Sequence, residues 1–284
     1  MITVSLILIT LAIEYFYDDI KKYRRNDFVI KSYSLFEKFF NDDKYSKDIK
    51  FLLFLVAILF FSMVLVTLSY YLSSMLYYLL SLLLILFSLR TNEYNREIEE
   101  FKIKLEFNKD SIDNKMLFSL CPNLKQTRAK SNINNLVIKN LFFNSMRNTF
   151  SVIFVFILLG APAALTYKVI DLMLYSDIFK INIQTKNNIK KYVYFIDYIP
   201  IRLTSYSLSI VSNYDRVIDK INNLKLSNNM YLSNIEYINQ TGEAVYDASQ
   251  KEIDQIIQIQ NILSRTLIAW LSIIFLLGIT GFFI

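Results

Sequence analysis

The side chains with chemistry to offer are the charges that interrupt apolar sequence. Asp197 and Arg202 stand in Asp197-Tyr198-Ile199-Pro200-Ile201-Arg202-Leu203, with Pro200 between them. A charge at bilayer depth costs about 3 kcal/mol or more unless it is paired or reaches water, so an intramembrane charge is a site candidate by default. A proline inside a helix removes a hydrogen bond and clashes with the preceding turn, at roughly 3 kcal/mol. Two readings follow. In the plainer one, Asp197 and Arg202 fold toward each other across the break as a structural pair. In the sharper one, Arg202 reaches a phosphate or carboxylate with two nitrogens at once.

A second constellation is Gly160-Ala161-Pro162-Ala163-Ala164, followed by Tyr167, Lys168 and Asp171. Small residues let helices approach closely, so the plain reading of Gly160 and Pro162 is a packing kink, a helix break. Lys168 and Asp171 lie on one helical face, which predicts a surface ion pair. Glu14 closes the first apolar run. It either sits at the interface or is the acidic partner of Arg202 or Lys168. The candidate ligand-binding or structural polar pocket is therefore Glu14, Tyr167, Lys168, Asp171, Asp197, Pro200 and Arg202, with no catalytic or metal-ligating residue assigned.

Composition removes other chemistries. The chain has no histidine, so histidine-based triads, bases and metal ligands are excluded. Cys121 is the single cysteine, which excludes an internal disulfide and a paired-cysteine metal site; it reads as a plain loop thiol. No Walker-type glycine loop occurs. The net charge of +6 comes from lysines interleaved with acids along polar stretches. That pattern fits loop orientation in a membrane rather than nucleic-acid binding.

The elements that must position these residues are apolar runs. A span needs about 20 mostly apolar residues. The expected fold is all-α: a polytopic transmembrane helical bundle with five to six membrane segments, broken helices and cytoplasmic amphipathic helices. It forms a single integral membrane domain over 1–284. Spans are expected near 2–16, 51–69, 73–89, 149–168 and 264–284, with 192–212 re-entrant or spanning. Residues 1–13 lack a positive leading region and a cleavage site, so they read as a retained span rather than a signal peptide. Polar loops are expected over 17–50, 90–147 and 213–263. Ile98, Phe101 and Leu105 recur at helical spacing within 95–107, which predicts an amphipathic helix. Two more are expected around Ile218, Ile221 and Leu224, and around Ile253, Ile256 and Ile257. The uncharged turn at 70–73 places itself outside and the basic loops inside.

In order along the chain, Glu14, Gly160-Ala161-Pro162-Ala163-Ala164-Leu165 with Tyr167-Lys168, and the Asp197 to Leu203 motif resemble the AmpE family. That family belongs to the wider CobD/CbiB superfamily of cobamide-biosynthesis membrane proteins. Length and span order are similar from end to end. The synthase branch carries a Gly-Asp-Pro and a His-Pro where Glu14 is followed here by Tyr15-Phe16-Tyr17-Asp18-Asp19. It carries a Glu-Asn pair where this chain has Lys139-Asn140, and Asn-Thr-Leu-Asp where this chain has Asp171-Leu172-Met173-Leu174. Acids that would bind Mg²⁺ or activate a carboxyl group are mostly missing. The resemblance thus implies a non-catalytic signalling or accessory modulator of the bacterial inner membrane, linked to β-lactamase induction and the cell envelope. It would need no cofactor. Its partners would be the bilayer, a membrane or cytoplasmic protein and an anionic small ligand. The alternative is a divergent cobamide synthase, an ATP- and Mg²⁺-dependent amide-forming ligase. A transporter component is a third class, disfavoured by the lack of internal repeats.

Overall fold

The computed structural model describes residues 2–17, 27–39, 47–107, 116–117, 120–121, 133–175 and 183–280. The described residues form helices and connections, with no strand among them. Residues 18–26, among them Lys21, Lys22, Arg24 and Arg25, and residues 122–132 and 176–182 lie outside the described residues.

The helices are α1 (Ile2–Phe16), α2 (Asp27–Phe39), α3 (Lys47–Leu72), α4 (Ser74–Ser88), α5 (Thr91–Phe107) and α6 (Ile133–Ser145). A π-helical turn, Met146–Phe150, follows α6. Then come α7 (Ser151–Leu159), α8 (Ala161–Tyr175), α9 (Ile183–Val211), α10 (Tyr214–Asn222), α11 (Met230–Glu243) and α12 (Glu252–Ile279). Among the described residues, four helical stretches are long and apolar enough to cross a membrane: Ile49–Leu72, Ser74–Phe107, Asn134–Leu159 and Glu252–Ile279. The apolar window of Asn134–Leu159 is 83% buried within protein, against 17% for Ile49–Leu72. The first is therefore enclosed by other helices, while the second turns most of its surface outward.

The boundaries differ from the sequence expectation in instructive ways. The span expected over 149–168 is divided at Gly160, and its first half extends back to residue 134. The amphipathic segment around Ile253 and the span over 264–284 are one helix, α12. Stretches expected as loop contain further helix, α2 within 17–50 and α11 within 213–263.

The chain divides into two compact units. The first comprises the described residues of Met1–Leu89 and Val152–Val193. Here α3 and α4 form a hairpin joined through Ser73 alone, whose side chain accepts a hydrogen bond from Met75 N at 3.2 Å. That cap satisfies one of the free N–H groups at the start of α4. α8 packs on α3 and α4, and α1 packs on α4. α2 lies against α3 through the rings of Tyr33 and Phe36 on Phe54, at 5.1 and 5.4 Å between centroids. Gly160 ends α7 with φ of +84°, a left-handed conformation that costs an ordinary side chain about 1–2 kcal/mol. Pro162 then falls in the first turn of α8, where a missing N–H costs little.

The second unit comprises the described residues of Arg90–Ser151 and Tyr194–Phe282. α6 packs on α11 and α12, α12 on α5, and α10 on α11. Its core includes Ile98, Phe101, Ile138, Leu141, Phe142, Phe143, Met146 and Phe150, all essentially inaccessible. α11 approaches α6 so closely at Gly242 that an added Cβ would stand 2.5 Å from Cγ of Phe142. Trp270 of α12 meets Phe150 edge-on at 5.3 Å and donates to Ser207 Oγ at 3.0 Å.

Candidate functional site

The second unit buries a polar cluster around the π-helical turn. A π turn holds one more residue per turn than an α-helix and occurs mostly as a single insertion, frequently at functional sites. It shifts the faces presented before and after it, so residues on both sides converge. Asn144, Arg147, Asn148, Thr149 and Ser151 are all at most 5% exposed, although they lie in a stretch apolar enough to span a membrane. Asn148 Nδ2 donates to the carbonyl of Asn144 at 2.9 Å, which occupies an acceptor loosened by the turn. Asn144 Nδ2 donates to the Leu120 carbonyl. Thr149 and Thr91 share a hydroxyl hydrogen bond at 2.9 Å. The Arg90 N–H donates to the Asn148 carbonyl at 3.3 Å where the helix is interrupted before α5.

Asp197 enters this cluster from α9. Ser151 Oγ lies 2.7 Å from Asp197 Oδ1 and 2.8 Å from Met146 Sδ. A hydroxyl has one proton, and the carboxylate is the stronger acceptor, so Ser151 donates to Asp197. Both are buried, Asp197 at 1% exposure and Ser151 at 0%. The Arg147 guanidinium stands 6.0 Å from the Phe143 ring centroid. A carboxylate and a guanidinium thus occupy the buried part of one unit, the most expensive place for charge. At the edge of the cluster, Arg90 grips Glu93 with two bonds of 3.1 and 2.8 Å and reaches Glu97 at 3.2 Å.

The residues singled out in the sequence fall in both units. In the first, Glu14 lies on the inner stripe of α1 with Val4, Ile7 and Thr10, and is 3% exposed. Tyr167, Lys168 and Asp171 are buried on α8. Lys168 Nζ and Asp171 Oδ2 are 3.4 Å apart, so the expected pair forms, but in the interior rather than on the surface. Gly160 and Pro162 do form the expected break. With Leu6, Met63 and Ser81 they line a cavity of about 310 Å³.

In the second unit lie Asp197, Pro200 and Arg202. The expected break at Pro200 does not occur, because α9 runs through it from Ile183 to Val211. On a continuous helix, residues five apart point about 140° away from each other. Asp197 therefore turns to Ser151, while Arg202 turns to Asn234, and the expected pairing of Asp197 with Arg202 is replaced by two separate environments. Ser151, Arg147 and Asn148 were not singled out. Arg147 reads in sequence as the last residue of a polar loop; the only hint was Asn144 and Asn148, one turn apart at the edge of an apolar run.

Among the described residues no group of three or more Asp, Glu or Cys side chains is placed to hold a metal ion. Cys121, read as a loop thiol, is buried and its S–H points to the Leu136 carbonyl at 3.5 Å. Burial pushes its pKa up to about 12. Comparison with known proteins finds no match to this chain among family models, characterised proteins or solved structures.

Proposed function

We propose that this chain is a multi-pass protein of the bacterial inner membrane that acts as an accessory or signalling modulator, and that the cluster around Ser151 and Asp197 is its responsive element. The observation that carries this reading is the buried carboxylate of Asp197, held by Ser151 one residue beyond a π-helical turn. The Asp197 carboxyl is 1% exposed and so lies wholly among packed helices. It acts on helix packing, because any shift that separates it from Ser151 leaves a charge without that donor. Such buried polar contacts make helix arrangements two-state rather than continuously adjustable. The link to β-lactamase induction and the cell envelope rests on the AmpE-like motifs around Gly160 and Asp197, and so does the non-catalytic role.

The test has a cellular and a biochemical arm. A strain lacking the chain should show altered β-lactamase induction, restored by the natural sequence and not by Asp197→Asn. In detergent, the purified full chain should gain thermal stability with muropeptide fragments and lose that gain in Asp197→Asn and Ser151→Ala. A gain that instead requires Mg-ATP together with a cobamide precursor would replace the modulator by an amide-forming synthase. No gain with any of these ligands, and unchanged induction, would end the signalling reading.

A further inference from the structure

In the second unit α9 carries an exposed stripe at steps of three and four: Phe195, Ile199, Leu203, Tyr206 and Ile210, each at least 45% exposed. α9 is not itself one of the stretches apolar enough to span, but in a chain that has such stretches an exposed apolar stripe of this kind suits contact with lipid. Arg202 sits beside this stripe, and its guanidinium is held in place with unusual care. Its carbon lies 3.4 Å from the Tyr198 ring centroid and 4.8 Å from that of Tyr237. Nη1 donates to Asn234 Oδ1 at 2.8 Å and to the Tyr198 carbonyl at 2.9 Å. Asn234 is 2% exposed and is itself fixed, since its Nδ2 donates to the Tyr194 carbonyl at 3.0 Å.

Among the described residues, every hydrogen bond of Arg202 therefore runs through one nitrogen. The Nε–Nη2 edge engages no described residue and is not sealed from the surroundings. Among the described residues no carboxylate comes within 4.0 Å of it. A guanidinium left with one open two-nitrogen edge matches two oxygens of a single anion. Stacking on two rings removes the rotamer freedom that such a contact would otherwise have to freeze. A cation beside a lipid-facing stripe is costly unless an anion covers it or it reaches the headgroup layer. The tyrosines around it, Tyr198 and Tyr206 at 43% and 47% exposure, are the residue type that collects at that layer.

We propose that the Nε–Nη2 edge of Arg202 is a binding site for a phosphate group, walled by Tyr198 and Tyr237 and oriented by Asn234. The phosphate belongs either to a lipid headgroup or to a soluble phosphate. The test uses the purified full-length chain in detergent, titrated with dihexanoyl phosphatidylglycerol, with dihexanoylglycerol lacking phosphate, and with inorganic phosphate. Thermal stability reports binding. The phospholipid should bind about tenfold more tightly than the neutral diacylglycerol, the scale of one charge-assisted contact. Arg202→Ala should lose about tenfold in affinity, and Arg202→Lys, which keeps the charge without the fork, at least about threefold. Asn234→Ala should fall between the natural sequence and Arg202→Ala, because the guanidinium is present but unpinned. If Arg202→Ala does not fold, Arg202→Lys and Asn234→Ala decide. Competition by millimolar inorganic phosphate assigns the site to a soluble phosphate; binding of the phospholipid without such competition assigns it to a headgroup. Equal binding of diacylglycerol and phospholipid, with no binding of inorganic phosphate, would overturn the proposal. So would undiminished affinity in Arg202→Lys and Asn234→Ala, or no response to either phosphate probe.

Discussion

Replacing Ser151 with Ala removes the donor that the buried Asp197 carboxylate receives at 2.7 Å. A hydrogen bond to a charged group is worth about 1.5–3 kcal/mol in soluble proteins. Between transmembrane helices the measured average is lower, about 0.6 kcal/mol with a maximum near 1.7, because the unfolded state in lipid also finds partners. The short distance and full burial of both groups place this bond at the upper end, so Ser151→Ala should cost about 1.5 kcal/mol. For a chain of this size that corresponds to a melting point lower by about 2–3 °C. A double-mutant cycle of Ser151→Ala and Asp197→Asn isolates the pair from losses that either change causes alone. Equilibrium unfolding in mixed micelles is the assay, with helicity as the probe. The expected coupling is about 1 kcal/mol, since Asn keeps an acceptor but loses the charge. A coupling under about 0.3 kcal/mol, within the range of independent sites, would refute the claim that Ser151 and Asp197 act as a unit.

Gly242→Ala should destabilise the second unit by about 1–3 kcal/mol, because the new methyl group overlaps the Phe142 ring on α6. Phe142→Leu should recover part of that loss in the double variant, and a melting curve unchanged by Gly242→Ala would contradict the close approach of α11 to α6. Lys168→Met should cost about 3 kcal/mol or more by leaving Asp171 buried without its 3.4 Å partner, whereas Lys168→Met with Asp171→Leu should restore most of it; equal melting points for the single and double variants would count against a buried pair. The Cys121 thiol, pushed up to about 12 by burial, stays protonated in the folded chain while the unfolded chain ionises near 9.0. Folding therefore holds the proton more tightly, and the stability tied to Cys121 is present below pH 9.0 and lost as pH rises toward about 12. Iodoacetamide should label Cys121 in native protein at pH 8 far more slowly than in denatured protein, and equal rates would show an accessible thiol.

Much of the architecture is legible in the sequence because apolar length and helical period are local properties. The hairpin of α3 and α4 follows from two uncharged runs, and the break at Gly160 from the one residue type at ease with φ of +84°. Ile98, Phe101 and Leu105 share one face by spacing alone, and all three are buried. Pro200 misled for a physical reason. Proline lowers helical stability by a local amount, yet packing along a helix of 29 residues from Ile183 to Val211 outweighs it.

Arg147 shows the other limit. At the edge of an apolar run an arginine reads as a loop residue, and only a π turn, which depends on how α5, α6 and α9 residues pack, brings it inside with Asn148 and Ser151. By itself the sequence determined that this chain is helical, that several of its helices are long and apolar enough to cross a membrane, and which charges lie among apolar residues. Only the tertiary structure decided where those charges point. Asp197 and Arg202 differ by five residues on one helix, and helical geometry sends them to different partners, Ser151 and Asn234. Helix formation is governed by neighbours in the chain, whereas the partner of a buried charge is chosen by whichever distant residue packing delivers to it.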